Sequence, residues 1–382
     1  MIAAQFQSVG GIGPALLSDP AFGLDYLGLG TLLGAYLLPG VVVSFPGGSL
    51  AARVGERRMA LTGLVLMGVG GLLVAFASGF PAALVGRLLA GIGAALLTVI
   101  LSALLMERFI GYALAPVMGA FLATWPFGIA LALLGLPPAV EMFGGSWRAA
   151  LLLSIGPMLV ILPMAGLLLT NMDAGRALIS APSDPAPGAL GLAAAEVPPL
   201  AAIGCAWATL NAGLAVLLGF APALLVQRGF SAPAAGALTS LVSWMLVLLL
   251  PLGGALLAAL RRPMPTALAA LVLTAASMGA FGAFPALPVI PLLLAAGLLL
   301  AGPATFISTL PAGVLAPQRR ARGMGLYYTI FYAGMAVLPP LAGGLRDATG
   351  RPDAPILAAA CFLVLAAACL ALVPRLSAPR RP

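Results

Sequence analysis

The sequence predicts an all-α membrane protein with twelve transmembrane helices in two pseudo-symmetric six-helix bundles. Three observations carry that fold class: an apolar composition, twelve hydrophobic runs of spanning length, and one polar stretch that divides the runs six to six. Hydrophobic residues make up 62% of the 382 residues and charged residues 7%, with a mean hydropathy of +1.15. So few polar side chains cannot clothe a water-soluble globule of this size. The 48 glycines and 34 prolines lie largely inside apolar runs, where close helix contacts and kinks accommodate them, so collagen and linker readings fail.

A helix needs about 20 apolar residues to cross about 30 Å of hydrocarbon. Runs that meet or approach that length lie at 1–18, 27–50, 59–78, 81–105, 112–136, 147–169, 199–226, 233–259, 264–283, 288–314, 323–345 and 353–374. The first has no basic start, carries Gln5, Gln7 and Ser8 in its middle and shows no small-residue cleavage site, so it reads as a span and not as a signal peptide. Residues 170–198 contain Asp173, Arg176, Asp184, Pro182, Pro185, Pro187 and Pro198 and cannot span. The expected organisation is an amino-terminal bundle at 1–169, a linker at 170–198 and a carboxy-terminal bundle at 199–382. Gly47, Gly48, Leu50 and Ala51 precede one basic loop, and Gly253, Gly254, Leu256 and Leu257 precede another, as duplication of a six-helix unit would produce.

All eighteen basic residues are Arg and there is no His, which gives a net charge of +8. The Arg residues cluster between apolar runs, so they read as topology signals and not as a nucleic-acid surface. With both termini and the linker in the cytoplasm, thirteen Arg fall inside and four (Arg148, Arg228, Arg346 and Arg351) fall outside. That asymmetry predicts a multi-pass protein of a bacterial inner membrane with cytoplasmic termini, and it leaves Arg87 within the hydrocarbon. Cys205, Cys361 and Cys369 show neither metal-site nor disulfide spacing. Without His, and with Asp19, Asp25, Glu107, Glu141 and Glu196 near span ends, a triad, a zinc site and a haem site lack their ligands. No enzyme activity, metal or cofactor is expected.

Two stretches carry local signatures. The loop after the second span reads Gly48-Ser-Leu50-Ala51-Ala52-Arg53-Val-Gly55-Glu56-Arg57-Arg58, and the fourth span reads Arg87-Leu-Leu-Ala-Gly91-Ile-Gly93-Ala94-Ala95. The first resembles the G-x-L-a-D-r-x-G-r-k signature of the major facilitator superfamily, with Ala52 where the family usually has Asp. The second is similar to that family's Arg-plus-Gly helix, in which Gly91, Gly93 and Ala95 let a neighbouring backbone approach. Phe6-Gln7-Ser8-Val9, Trp125-Pro126-Phe127-Gly128 and the stretch from Trp207 to Asn211 look like the cyanate and nitrate-like carriers. Trp125 to Gly128 and the Pro339-Pro340 region partly resemble the kinked helices of members that exchange solute for protons.

The resemblance implies a twelve-helix secondary transporter working by alternating access, with the first, fourth, seventh and tenth helices lining a central cavity. Its candidate contacts are Gln5, Gln7, Arg87, Trp207, Asn211, Thr305 and Ser308, with Trp125, Tyr328 and Tyr332 as aromatic walls. Gly48, Arg53, Gly55, Arg57 and Arg58 would form the gating loop, weakened by the missing carboxylate at Ala52. The expected cargo is a small polar solute, and the lone intramembrane positive charge favours an anion. A multidrug or metabolite exporter is the alternative, and a non-transporting sensor or assembly partner is a third class. The expected partners are the solute and the lipid bilayer, without nucleic acid, and the protein is expected to act as a monomer.

Overall fold

A computed structural model describes residues 1–43, 55–108, 114–168, 192–258, 261–316 and 319–377. Every regular element among them is a helix. In chain order these are α1 (Ile2–Gly11), α2 (Gly13–Leu17), α3 (Tyr26–Leu37), α4 (Gly40–Val43), α5 (Glu56–Ala75), α6 (Phe80–Arg108), α7 (Leu114–Met142), α8 (Trp147–Ile155) and α9 (Met158–Leu168). After residues 169–191, which lie outside the described part, come α10 (Val197–Gln227), α11 (Ala232–Ala258), α12 (Pro263–Ala283), α13 (Val289–Val314), α14 (Arg320–Thr349) and α15 (Ala354–Ser377). Eleven segments among the described residues are long and apolar enough to cross a membrane. The first expected span is absent from that number because its helical part, α1 and α2 with a break at Ile12, is shorter than the others. The second and sixth spans are likewise jointed, at Leu38–Pro39 and Gly156–Pro157.

Lipid imposes this all-helical solution, since backbone N–H and C=O groups in hydrocarbon must find partners within the chain. Glycine then sets how closely the helices approach. A side chain on Gly30 of α3 would collide with the backbone of Pro339 and Pro340 in α14, and one on Gly236 of α11 would collide with the carbonyl of Leu133 in α7. Gly236 lies 206 positions after Gly30, and Pro339 lies 206 positions after Leu133. The same offset relates Gly91, which faces the Tyr36 carbonyl, to Gly297, which faces that of Val242. The repeat visible at Gly47 and Gly253 therefore extends to equivalent helix crossings, two of which join helices before the linker to helices after it.

The helix α10 is the most enclosed of the spanning segments, with 83% of its most apolar 18-residue stretch buried. It contacts α14 and α15 within its own half and α1 across the divide. Its neighbours leave a partly exposed stripe at Trp207, Asn211 and Leu214, at the three- and four-residue spacing of one helix face.

Candidate functional site

Arg87 is the best-anchored polar side chain of the interior, at 2% exposure. Its Nε donates to the Leu32 carbonyl at 2.8 Å, Nη1 to that of Gln5 at 2.7 Å and Nη2 to that of Phe6 at 2.9 Å. The guanidinium also lies 4.5 Å from the centre of the Tyr36 ring, whose hydroxyl donates to the Ile2 carbonyl. The side chains of Gln5 and Gln7 do not serve as its acceptors. The backbone carbonyls do, because α1 passes close enough to α6 for a rigid planar fork to reach them. Beside Arg87, Gln5, Ser8 and Gly71 line a cavity of about 10 Å³, room for one water and not for a solute.

The two glutamines do different work. Gln5 Nε2 donates to the Met67 carbonyl of α5 at 2.8 Å, within the first half. Gln7 Nε2 donates to the Leu218 carbonyl of α10 at 2.8 Å, across the divide. Both side-chain oxygens are buried without a protein partner.

The structure brings Trp207, Tyr328 and Tyr332 together, with Phe331 as a fourth ring that sequence reading missed. Phe331 lies 6.2 Å from Trp207 and 4.9 Å from Tyr332, and Tyr328 lies 6.4 Å from both Phe331 and Tyr332. Its signal was available: Tyr328, Phe331 and Tyr332 stand three and four apart on α14, so one helix face presents all of them. Asn211 sits one turn beyond Trp207 and its Nδ2 donates to the Trp207 carbonyl at 2.8 Å. Thr305 and Ser308 of α13 bond carbonyls of their own helix at 2.9 and 2.7 Å, and Ser308 is exposed. Trp125 belongs to a separate group in the first half, 5.7 Å from Phe6, which in turn is 5.9 Å from Tyr36. Phe331 and Trp125 are themselves 206 positions apart, as are Asn211 and Gln5. In the first half the equivalent polar side chain, Gln5, is buried and bonded to the Met67 carbonyl; at the position equivalent to Arg87 the second half has Leu293, and Asn211 is partly exposed.

At the end remote from the linker, the halves are fastened together. The Asp347 carboxylate accepts from the backbone N–H of Tyr26 at 3.3 Å and of Leu27 at 2.7 Å. The Arg346 guanidinium lies 3.6 Å from the centre of the Tyr26 ring, and Gln227 Nε2 donates to the Tyr26 hydroxyl at 3.1 Å. A side chain on Gly343 would strike the Tyr26 carbonyl. No motif pointed to this clasp. Asp347 and Tyr26 each look like an ordinary span-end residue, and 320 positions separate the partners Leu27 and Asp347.

Other polar residues brace loops within each half. Asp19 accepts from Trp147 Nε1 at 2.9 Å and Arg148 at 3.1 Å. The Trp147 hydrogen bond, then Arg148, hold its carboxyl below the ordinary range. Glu196 accepts from the Ala316 N–H at 3.1 Å and pairs with Arg319 at 3.2 Å, and these hydrogen bonds, that of Ala316 foremost, lower its pKa. Gly48 and Arg53 of the expected gating loop lie outside the described residues. Gly55 takes a positive φ of 87°, Arg57 donates to the Gly166 carbonyl of α9 at 3.2 Å, and Arg58 is exposed. Gly91 and Gly93 contact different helices: Gly91 meets α3 at Tyr36, whereas Gly93 meets α5 at Gly63 and Met67, and Ala95 is buried.

Comparison with known proteins places this geometry. No curated protein matches the sequence. Among solved structures, a D-xylose-proton symporter is 17% identical, with 97% of this chain and 95% of that one covered and a TM-score of 0.69. A POT family transporter bound to 5-aminolevulinic acid is 11% identical over 99% and 95%, with a TM-score of 0.70. A POT family transporter bound to a thioalcohol-conjugated peptide is 12% identical over the same shares, with a TM-score of 0.68. At these identities the likeness concerns the fold. The model of the Major Facilitator Superfamily matches residues 1–231 and again 204–382, which accounts for the whole length and for its internal repeat, and the chain belongs to that superfamily.

Proposed function

We propose that this protein is a secondary transporter that moves a small polar solute by alternating access, with the partly exposed cluster of Trp207, Asn211, Tyr328, Phe331 and Tyr332 as its contact surface. The observation that supports the reading is the pairing of a fastened end with a partly exposed amide among aromatic rings nearer the other end. Superfamily membership and the transporter structures that share the fold support it further. Asn211 offers both a donor and an acceptor to a solute hydroxyl, amide or carboxylate, and the rings supply apolar faces. The anion favoured by Arg87 would need that side chain to leave its three carbonyls, so the polar solute is the primary reading.

The aromatic cluster favours a second reading in the same fold: export of a larger apolar metabolite or drug, with the rings as its main contacts. We place the linker and both termini on the cytoplasmic side of a bacterial inner membrane, on the Arg asymmetry between the two sides. The cluster of Asn211 and the aromatic rings then faces the cytoplasm.

Uptake into liposomes containing the purified protein tests the function. The solutes are D-xylose, 5-aminolevulinic acid, a dipeptide, nitrate, cyanate and a lipophilic dye. Saturable flux of a polar solute that Asn211→Leu abolishes is the expected result. Flux of the dye alone would select the export reading, and no flux above protein-free vesicles would remove both.

A further inference from the structure

Proton-driven transport requires a group whose protonation differs between the two facing states, placed where both states reach it. In membrane transporters such groups are Asp, Glu or His side chains inside the spans. Among the described residues none of the acidic side chains lies at mid-span: Glu141 and Asp347 fall within spanning segments but in their last turns, and the others lie at or beyond helix ends. Asp19 lies in the turn after α2, Asp25 caps α3 by accepting from Gly28, and Glu56 opens α5. Glu107 closes α6, Glu141 closes α7, and Glu196 stands before α10 with Ala193, Ala316 and Arg319 as partners. Asp347 is in the last turn of α14 and Asp353 precedes α15, paired with Arg351 at 2.7 Å. Asp173 and Asp184, outside the described residues, belong to the polar stretch between the sixth and seventh spans.

The polar positions at mid-span hold neutral amides: Gln5, Gln7 and Asn211. The charge at that depth is Arg87, which does not deprotonate in proteins and whose three donors are engaged with fixed carbonyls. Tyr36 and Tyr327 are buried phenols, uncharged hydrogen-bonding groups.

We infer that transport by this chain is not coupled to protons. The inference rests on the transporter reading above and concerns what drives transport at that same cluster.

Linkage supplies a test that needs no solute. If a proton were bound in one facing state and released in the other, pH would shift the equilibrium between the states, by up to about tenfold per pH unit for one proton. Spin labels at Ser78→Cys and Ala286→Cys, two exposed residues at the fastened end, report that equilibrium in lipid nanodiscs. The background carries Cys205→Ala, Cys361→Ala and Cys369→Ala. Between about pH 5.5 and about pH 8, the window of His and raised carboxylates, the distance distribution should change less than about twofold in population. Asp347→Asn, which weakens the clasp, should shift it in the same samples. A pH-dependent shift with a midpoint in that window would overturn the inference while leaving alternating access intact. If neither pH nor Asp347→Asn moves the distribution, alternating access itself fails and takes the inference with it.

Discussion

Asp347, two residues before the end of α14, caps the start of α3 by accepting from the N–H groups of Tyr26 and Leu27 at 3.3 and 2.7 Å. The first four N–H groups of a helix have no intrahelical acceptor, and Asp25 satisfies the one at Gly28. The second half of the chain thus completes a helix of the first, and only while the far end is closed. Replacing Asp347 by Ala should cost the closed state about 1 kcal/mol, the usual worth of a cap. That corresponds to about a fivefold population shift toward opening, readable in the distances between spin labels at Ser78→Cys and Ala286→Cys.

Gly30 and Gly236 mark the two equivalent crossings at which the halves touch. A valine at Gly30 has no flexible neighbour to displace, because the obstruction is the backbone of Pro339 and Pro340. Gly30→Val and Gly236→Val should each hold the far end apart, with longer label distances than the parent and slowed solute exchange. Parent-like distances in both variants would mean that these crossings open freely.

Arg87 joins α6 to α1 and α3 through three carbonyls. Removing it strands acceptors in a place without water, each costing about 1–3 kcal/mol. Arg87→Gln should lower the melting temperature in detergent strongly, and Arg87→Lys somewhat less, since an ammonium cannot reach all three acceptors in one plane. Parent-like melting in both, with solute binding lost only in Arg87→Gln, would assign Arg87 to an anionic solute instead.

Asp19 links Trp147 and Arg148 across loops of the first half. Because its pKa is lowered in the folded protein, its contribution is present above the ordinary carboxylate value of about 3.9 and fades as pH falls through the lower folded value. Asp19→Asn should therefore melt below the parent at pH 7, with the gap closing in acid. A gap of constant size would show that charge is not what the contact supplies.

Much of the fold was legible in the sequence because lipid enforces simple rules. Twelve apolar runs, a polar linker and an echo of Gly47 at Gly253 sufficed to foresee helices in two related sets. The joint at Ile12 was not legible, because apolar runs do not record where the backbone turns within them. At the site, Trp207, Tyr328 and Tyr332 could be named through the family resemblance, but the partners of Arg87 could not. A sequence shows that a guanidinium needs acceptors, and only the packing of α1 decides that these are the carbonyls of Gln5 and Phe6. The clasp at Asp347 was invisible for a related reason: a long-range cap joins residues that carry no shared local pattern.

Alternating access is most directly tested at Asn211. In a variant with Asn211→Cys and without Cys205, Cys361 and Cys369, sealed vesicles of known orientation can be treated with a membrane-impermeant thiol reagent from either face. The geometry predicts fast reaction from the linker face and slow reaction from the other, with Asp347→Asn raising the slow rate and lowering the fast one. Equal fast reaction from both faces would describe an open channel, and no reaction from either would place Asn211 outside any transport path; each result would contradict the account.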